Sequence, residues 1–192
     1  MTPDPLATFN EVFSKARSVE GELYNAAALA TVGARAAPAV RMVLVKHADE
    51  RGFVFYTNLH SRKGRELVAD PRAALCFWWP RLATQVRVEG VVEKVGDTEA
   101  DAYFATRPRE SQIGAWASKQ SEPLRSYADL LRSAEEVSRR FHDGNVPRPP
   151  HWSGFRLVPG AIEFWYERPS RLHARQLFLR TGDGWELSLL CP

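Results

Sequence analysis

Four groupings of cations and hydroxyls recur in this sequence at spacings that could grip an anion. Arg41 and Lys46 bracket an apolar strand core of Met42, Val43, Leu44 and Val45. Residues five apart face opposite sides of a regular strand, so these cations meet one point only if a bulge intervenes; otherwise they serve two separate anions. Ser61, Arg62 and Lys63 stand at a loop-to-helix junction, where free backbone N–H groups and the helix dipole favour negative charge and the Arg fork can hold it bidentately. Tyr103, Arg107 and Ser111 are spaced by four and four. The first pair shares a helix face and Ser111 opens the next helix after Pro108, which makes a compact oxyanion clamp. Arg171, His173 and Arg175 alternate with Leu172 and Ala174, so that on a strand all three project from one face. Trp165 and Tyr166 upstream offer aromatic surface for a planar ligand. Each grouping also has an ordinary reading: wet strand ends, a solvated first turn, a Tyr–Arg packing pair or a cationic edge strand. Spacing alone does not choose.

Other chemistries lack their residues. His47, His60, His142, His151 and His173 show no HExxH or paired metal spacing, so no metal site is expected. There is no G-x-S-x-G elbow, no G-x-G-x-x-G and no G-x-x-x-x-G-K-[ST], so any phosphate must be held by side chains. Cys76 and Cys191 make neither a disulfide framework nor a CxxC motif, consistent with a reducing cytosol. Trp78 and Trp79 lie in an apolar run and read as core.

The elements that must position these groups are legible from periodicity and punctuation. Leu6, Phe9 and Phe13 recur at helical spacing and predict a helix over 6–17 that packs as a lid. Strands are expected over 28–32, 39–47 and 53–57, separated by segments containing Gly33, Pro38 and Gly52. Ser61 caps a helix reaching Asp70, with Pro71 beyond its end. Residues 73–79, almost wholly apolar, predict a strand buried on both faces, and 85–95 alternates. Helices are expected from Asp97 or Thr98 to about Arg107, over 111–118 and over 126–141, with an irregular proline-rich stretch at 145–150. Strands close the chain at 155–158, 162–166, 172–180 and 185–189. Antiparallel strands with helices inserted between them argue for an α+β barrel.

With 192 residues, 44% hydrophobic and 26% charged, the chain suits one domain spanning 1–192, with an N-terminal arm at 1–20 and C-terminal strands from 145 onward. A formal charge of +3, spread along the chain, suits anionic small molecules better than nucleic acid. The start lacks a signal-peptide pattern and no apolar run could cross a bilayer, so a cytoplasmic protein is expected.

Taken together, Arg41-Met-Val-Leu-Val-Lys46-His, Phe53-Val-Phe-Tyr-Thr-Asn58, Ser61-Arg-Lys63, Arg107-Pro-Arg-Glu-Ser-Gln-Ile-Gly-Ala-Trp116 with Ser118-Lys-Gln-Ser121, and Ile162-Glu-Phe-Trp165 with Arg171-Leu-His173 resemble the pyridoxine 5'-phosphate oxidase family. The likeness runs from about Asp4 to Pro192, in the family's order. It implies an FMN-binding split β-barrel, antiparallel and Greek-key-like, acting as a homodimer with flavin at the subunit interface. It further implies that FMN contacts Arg41, Met42, Val43, Leu44, Val45 and Lys46 along one strand. Tyr56, Thr57, Arg62 and Lys63 would follow, then Gln85, Gln120, Ser121, Trp165 and Arg175. Substrate would meet Lys46, Tyr103, Arg107, Ser111, Arg171 and His173, the last two in catalytic roles. The implied reaction takes a hydride equivalent from C4' of pyridoxine or pyridoxamine 5'-phosphate to the flavin, gives pyridoxal 5'-phosphate, and passes the electrons to O2 to yield H2O2.

Three departures from the family pattern stand out. Ala174 occupies a position usually acidic, Leu189-Leu-Cys-Pro192 replaces Arg-Leu-x-Pro, and the N-terminal arm is short. The rivals are a flavin oxidase of the phenazine-biosynthesis type on the same scaffold, against which the phosphate clamp argues, and a split-barrel protein that binds flavin without turnover.

Overall fold

A computed structural model describes residues 4–142, 144–182 and 184–192, which leaves the first three residues of the expected arm outside. Eight strands form one antiparallel sheet: β1 (Ala26–Val32), β2 (Pro38–Asp49), β3 (Gly52–Asn58), β4 (Arg72–Trp79), β5 (Thr84–Lys94), β6 (Trp152–Tyr166), β7 (Ala174–Thr181) and β8 (Gly184–Leu190). Their order is β3-β2-β1-β4-β5-β6-β7-β8, and β3 also pairs with β6. That pairing closes six strands into a barrel and removes its open edges, while β7 and β8 extend beyond it. The β1–β4 neighbourhood supplies the Greek-key step. The expected α+β split barrel is the fold observed.

Five helices decorate the barrel: α1 (Pro5–Val19), α2 (Arg62–Ala69), α3 (Asp97–Ala105), α4 (Arg109–Ala117) and α5 (Tyr127–Arg140). None is long and apolar enough to cross a membrane among the described residues. The α1 helix does cover the core: Phe9, fully buried, meets the ring of Phe53 edge-on at 4.8 Å and lies 5.1 Å from Phe77. Burying such rings supplies much of the hydrophobic driving force for the lid.

Four elements differ from expectation. α3 stops at Ala105 with Thr106 as its C-cap, so Arg107 lies in the turn before α4 and does not share a helix face with Tyr103; Pro108 disfavours helical backbone in the residue before it. β6 is one continuous strand, not two: Pro159 and Gly160 sit at a bulge where the register against β5 shifts between Glu89 and Gly90. A bulge tolerates proline because it interrupts the ladder anyway. At Gly90 a Cβ would lie 2.0 Å from the Val158 carbonyl oxygen, so the close strand approach needs glycine there. β4 is buried on one face only, with Leu75, Phe77 and Trp79 inward and Trp78 49% exposed, so Trp79 is core and Trp78 is not. Its apolar composition misled because the opposite face serves another surface. Finally, β7 begins at Ala174, after a 3₁₀ turn over Pro169–Arg171 in which Ser170 and Arg171 adopt positive φ of 57° and 59°. Arg171 and His173 are therefore not strand residues, and only Arg175 of that trio lies in the sheet; Pro169 fixes a turn where alternation alone suggested extension.

Candidate active site

Two clusters gather the candidate residues, and they lie at opposite ends of β6. The first is a cleft of about 660 Å³ lined by β2, β3, α3 and α4. Along β2, Met42, Leu44 and Lys46 alternate toward it, and the register shift between Val45 and His47 falls at Lys46. This irregularity does not bring Arg41 and Lys46 to one point. Arg41 turns elsewhere, into a neighbouring recess of about 400 Å³ with Arg62, Lys63, Gln120 and Ser121. Two cations on one strand thus face two spaces. Val43 borders the cleft, whereas the Val45 side chain is fully buried in the core, so it has only backbone to offer.

Ser61 caps α2 as expected, accepting from the Gly64 backbone N–H at 3.2 Å, and this orients the first turn. Lys63 lies where cleft and recess meet. Its Nζ donates to Thr57 Oγ1 and Gln120 Oε1, each at 3.1 Å. Burial, and secondarily Arg41, hold the Lys63 pKa below its ordinary value. Desolvation and a neighbouring cation both disfavour the charged ammonium.

Across the cleft, Tyr56 stacks on Tyr103 at 4.0 Å and on Trp152 at 5.4 Å, with planes within 10°. Gly154 permits this, since a Cβ there would lie 2.7 Å from the Tyr56 ring. Arg107 lies over Trp152 at 4.8 Å and over Phe104 at 5.5 Å. These cation–π contacts hold the guanidinium plane while Arg107 Nη1 is buried with no hydrogen-bond partner. Burial pulls the Arg107 pKa down. A buried donor left unpaired beside Ser111 and Lys46 is what an anion would satisfy. Tyr56 Oη is likewise buried and unpartnered, and desolvation, with smaller contributions from Glu99 and Tyr103, pushes its pKa up to about 12. α3, which carries Tyr103, is tied down by Arg156: this buried side chain donates to Glu99 at 2.9 Å and to Asp49 at 2.7 Å.

The second cluster is a row across the sheet. Trp78 pairs with Gln85, Gln85 with Trp165, and Trp165 with Arg175 in strand register. His173 sits 4.4 Å from the Trp165 ring, and its Nδ1 accepts from the Arg168 backbone N–H at 3.2 Å. Arg175 donates to Glu163 Oε1 at 2.8 Å and to the Cys191 carbonyl at 2.9 Å. Arg171 is exposed on its turn. None of Gln85, Trp165, Arg171, His173 or Arg175 lines the first cleft. From Trp152 to Trp165 runs roughly 40 Å of strand, at about 3.3 Å per residue.

Sequence reasoning missed Trp152, Glu66 and Glu163. Trp152 carries no local signal, because its role comes from pairing opposite Asn58. Glu66 had one: it stands four residues after Arg62 on the same helix face. No group of three or more potential metal ligands occurs among the described residues.

Residues 21–141 match the model of the family described as pyridoxamine 5'-phosphate oxidase. The chain belongs to the pyridoxamine 5'-phosphate oxidase family. Residues 152–192 match the family's C-terminal dimerisation region, the segment that supplies Trp165, His173 and Arg175 to the row. Curated relatives named pyridoxine/pyridoxamine 5'-phosphate oxidase include one from Anaeromyxobacter dehalogenans, 55% identical over 99% of this chain and 96% of that protein. Another, from Rhodospirillum rubrum, is 55% identical over 98% of this chain and 96% of its own. Among solved structures, PhzG from Burkholderia lata 383, in complex with tetrahydrophenazine-1-carboxylic acid, superposes with a TM-score of 0.94 at 29% identity, covering all of this chain and 94% of that one. A pyridoxamine 5'-phosphate oxidase-related, FMN-binding protein from Nostoc punctiforme shares the fold, with a TM-score of 0.78 at 17% identity over both chains in full.

Proposed function

We propose that this protein oxidises pyridoxine 5'-phosphate and pyridoxamine 5'-phosphate to pyridoxal 5'-phosphate, with FMN as cofactor and O2 as final acceptor. The observation that carries the reading is the buried, unpartnered Arg107 Nη1, held over Trp152 beside Ser111 and Lys46. A phosphate monoester dianion supplies the acceptors this group lacks, and its charge answers both cations. The separate recess of Arg41, Arg62 and Lys63 suits a second phosphate, that of FMN. Two spaces drawing on different arginines, Arg107 with Lys46 in one and Arg41 with Arg62 in the other, and with Lys63 at their boundary, suit a cofactor and a substrate that each carry one phosphate.

The chain's own residues bind and orient. Lys46, Arg107, Tyr103 and Ser111 fix the substrate phosphate, and the Tyr56–Tyr103–Trp152 stack walls the cleft against water. Bound FMN supplies a two-electron acceptor that O2 regenerates, releasing H2O2. Oxidation of the alcohol removes a hydride equivalent from C4' and a proton from its hydroxyl; for the amine, water then displaces ammonia from the resulting imine. Arg171 and His173 would orient the pyridine, and Arg175 would stabilise negative charge accumulating on the ring beside it. Roughly 40 Å of strand separates the two clusters on one chain, so the working site joins the cleft of one protomer to the row of another in a homodimer.

The likeness to PhzG favours a second reading, oxidation of a reduced phenazine carboxylate. The 55% identity to the oxidases, against 29% to PhzG, and the phosphate clamp favour the first. Anaerobic addition of pyridoxine 5'-phosphate to the purified yellow protein should bleach it, and air should restore the colour. Bleaching by a dihydrophenazine carboxylate but not by the phosphorylated pyridine would overturn the assignment. Unphosphorylated pyridoxine should react far more slowly, since a site built for a dianion leaves its cations unpaired without one.

A further inference from the structure

The recess beside the cleft is lined by three cations, and a buried carboxylate is bonded to two of them. Glu66, only 9% exposed, projects from α2 one turn after Arg62. Its Oε1 accepts from Arg62 Nε at 2.8 Å. Its Oε2 accepts from Arg41 Nη2 at 2.8 Å and from Thr31 Oγ1 at 2.6 Å. Thr31 also accepts from Arg41 Nη1, so the two contacts brace one guanidinium. Gly33 leaves room for the carboxylate: a Cβ there would stand 3.1 Å from Glu66 Oε1. Burial alone would raise the Glu66 pKa, but the hydrogen bonds from Thr31, Arg62 and Arg41 outweigh it and the group lies below its ordinary value. It is therefore ionised throughout the neutral range.

We propose that Glu66 is the positioning residue of the flavin-phosphate recess: by clamping Arg62 through Nε and Arg41 through Nη2 it fixes how both guanidinium groups face a phosphate monoester. The inference rests on the reading of this recess as the seat of the FMN phosphate. A carboxylate near a phosphate also repels it, so two effects of opposite sign compete. Burial among three donors decides for positioning, because the charge is largely spent on the two guanidinium groups it holds. Glutamine cannot replace it. One end of its amide is a donor, which must then face either Arg62 or the Arg41–Thr31 pair and lose that contact.

The test titrates apoprotein with FMN and with riboflavin, which differs by the phosphate alone, following flavin fluorescence. For E66Q the FMN dissociation constant should rise by about tenfold or more, the loss expected for a charge-assisted hydrogen bond, with riboflavin affinity within about twofold of wild type. Inorganic phosphate should compete with FMN correspondingly less well. Thr31→Val, which removes one donor and keeps the charge, should shift the FMN-to-riboflavin ratio the same way by a smaller factor, and it decides the matter if E66Q does not fold. Equal losses for both flavins would show a mere strut between α2 and β1, and tighter FMN binding by E66Q a merely competing anion; either overturns the proposal. A wild-type apoprotein that binds riboflavin as well as FMN would instead overturn the reading of the recess itself.

Discussion

The two ends of β6 solve the same problem, holding charge ready for a ligand, in opposite ways. At the Trp152 end the cations surround a hollow, and polar atoms at its walls are buried without partners: Arg107 Nη1 and Tyr56 Oη. At the Trp165 end the groups lie along a row on the sheet, and Arg175 is already satisfied by Glu163 and the Cys191 carbonyl. The first region offers the donors that the proposed anion would take. The second is a wall that, on the proposed reading, needs an opposing surface to become a site, and its Trp165, Arg171, His173 and Arg175 fall within the segment matching the dimerisation region. On the proposed reading, the unsatisfied buried donors mark where a ligand goes, and the half-buried row, whose Arg175 is already paired, marks where a second protomer goes.

The sharpest way to break this contrast is to mix subunits. Arg107→Ala and Arg171→Ala homodimers should each lose about 100-fold in kcat/KM, the first through KM for phosphorylated substrate and the second through kcat with flavin retained. If the cleft of one protomer works with the row of the other, a heterodimer of the two variants carries one intact site and recovers roughly half the wild-type rate. Co-expression with different tags and tandem purification isolates that species. A heterodimer as inactive as its parents would place both residues of a site on one chain.

Next in size is Glu163→Gln. Glu163 is 3% exposed and joins Arg175 Nε at 2.8 Å to Arg87 Nη2 at 2.7 Å, the latter an ion pair without hydrogen-bond alignment. Neutralising it should cost about 1–3 kcal/mol of stability, since Arg87 is exposed enough to recover water. Thermal unfolding of the apoprotein measures this. FMN and riboflavin affinity should fall together, unlike E66Q, because the row meets no phosphate. A selective loss for FMN would erase the distinction between the two buried carboxylates.

How much of this contrast the sequence carried follows from the range of the interactions. The Ser61 cap and the opposite facing of Arg41 and Lys46 are short-range consequences of helix and strand geometry, and both are present; the helical face expected for Tyr103 and Arg107 is not, because α3 stops at Ala105 ahead of Pro108. Alternation misplaced Arg171 and His173 on a strand because a positive-φ turn after Pro169 leaves no periodic trace. The Pro159–Gly160 pair suggested a break where the barrel tolerates a bulge. Trp78 was assigned to the core because apolar composition does not say which face is covered. Arg41–Glu66 and Arg175–Glu163 are invisible to local pattern, since their partners come from strands and helices that only closure of the barrel brings together.

A smaller effect sharpens the hollow end through pH. The Lys63 pKa is lowered by burial and by Arg41, so between that lowered value and the ordinary 10.5 the unfolded chain binds more protons than the folded one. Stability of the free protein therefore rises with pH across that window. A bound phosphate reverses the balance by favouring protonated Lys63, so FMN binding there should take up protons and weaken a few-fold as pH rises. Calorimetry in buffers of different ionisation enthalpy reads the uptake. Riboflavin should show none.

The smallest expected effect distinguishes a partnerless group from a useful one. Tyr56 Oη is buried with no acceptor, and its ring is fixed by stacking on Tyr103 and Trp152. Tyr56→Phe keeps the stack and removes a donor whose desolvation was uncompensated, so the free protein should be unchanged or more stable by up to about 1 kcal/mol. If Tyr56 Oη meets the flavin, the same variant should lose about five- to tenfold in affinity for FMN and riboflavin alike, because the hydroxyl borders the cleft and not the phosphate recess. Apoprotein melting and the two titrations separate these contributions. A variant less stable when flavin-free would mean that the hydroxyl already has a partner within the chain, and the hollow would then hold one unsatisfied donor where two are now counted among the described residues.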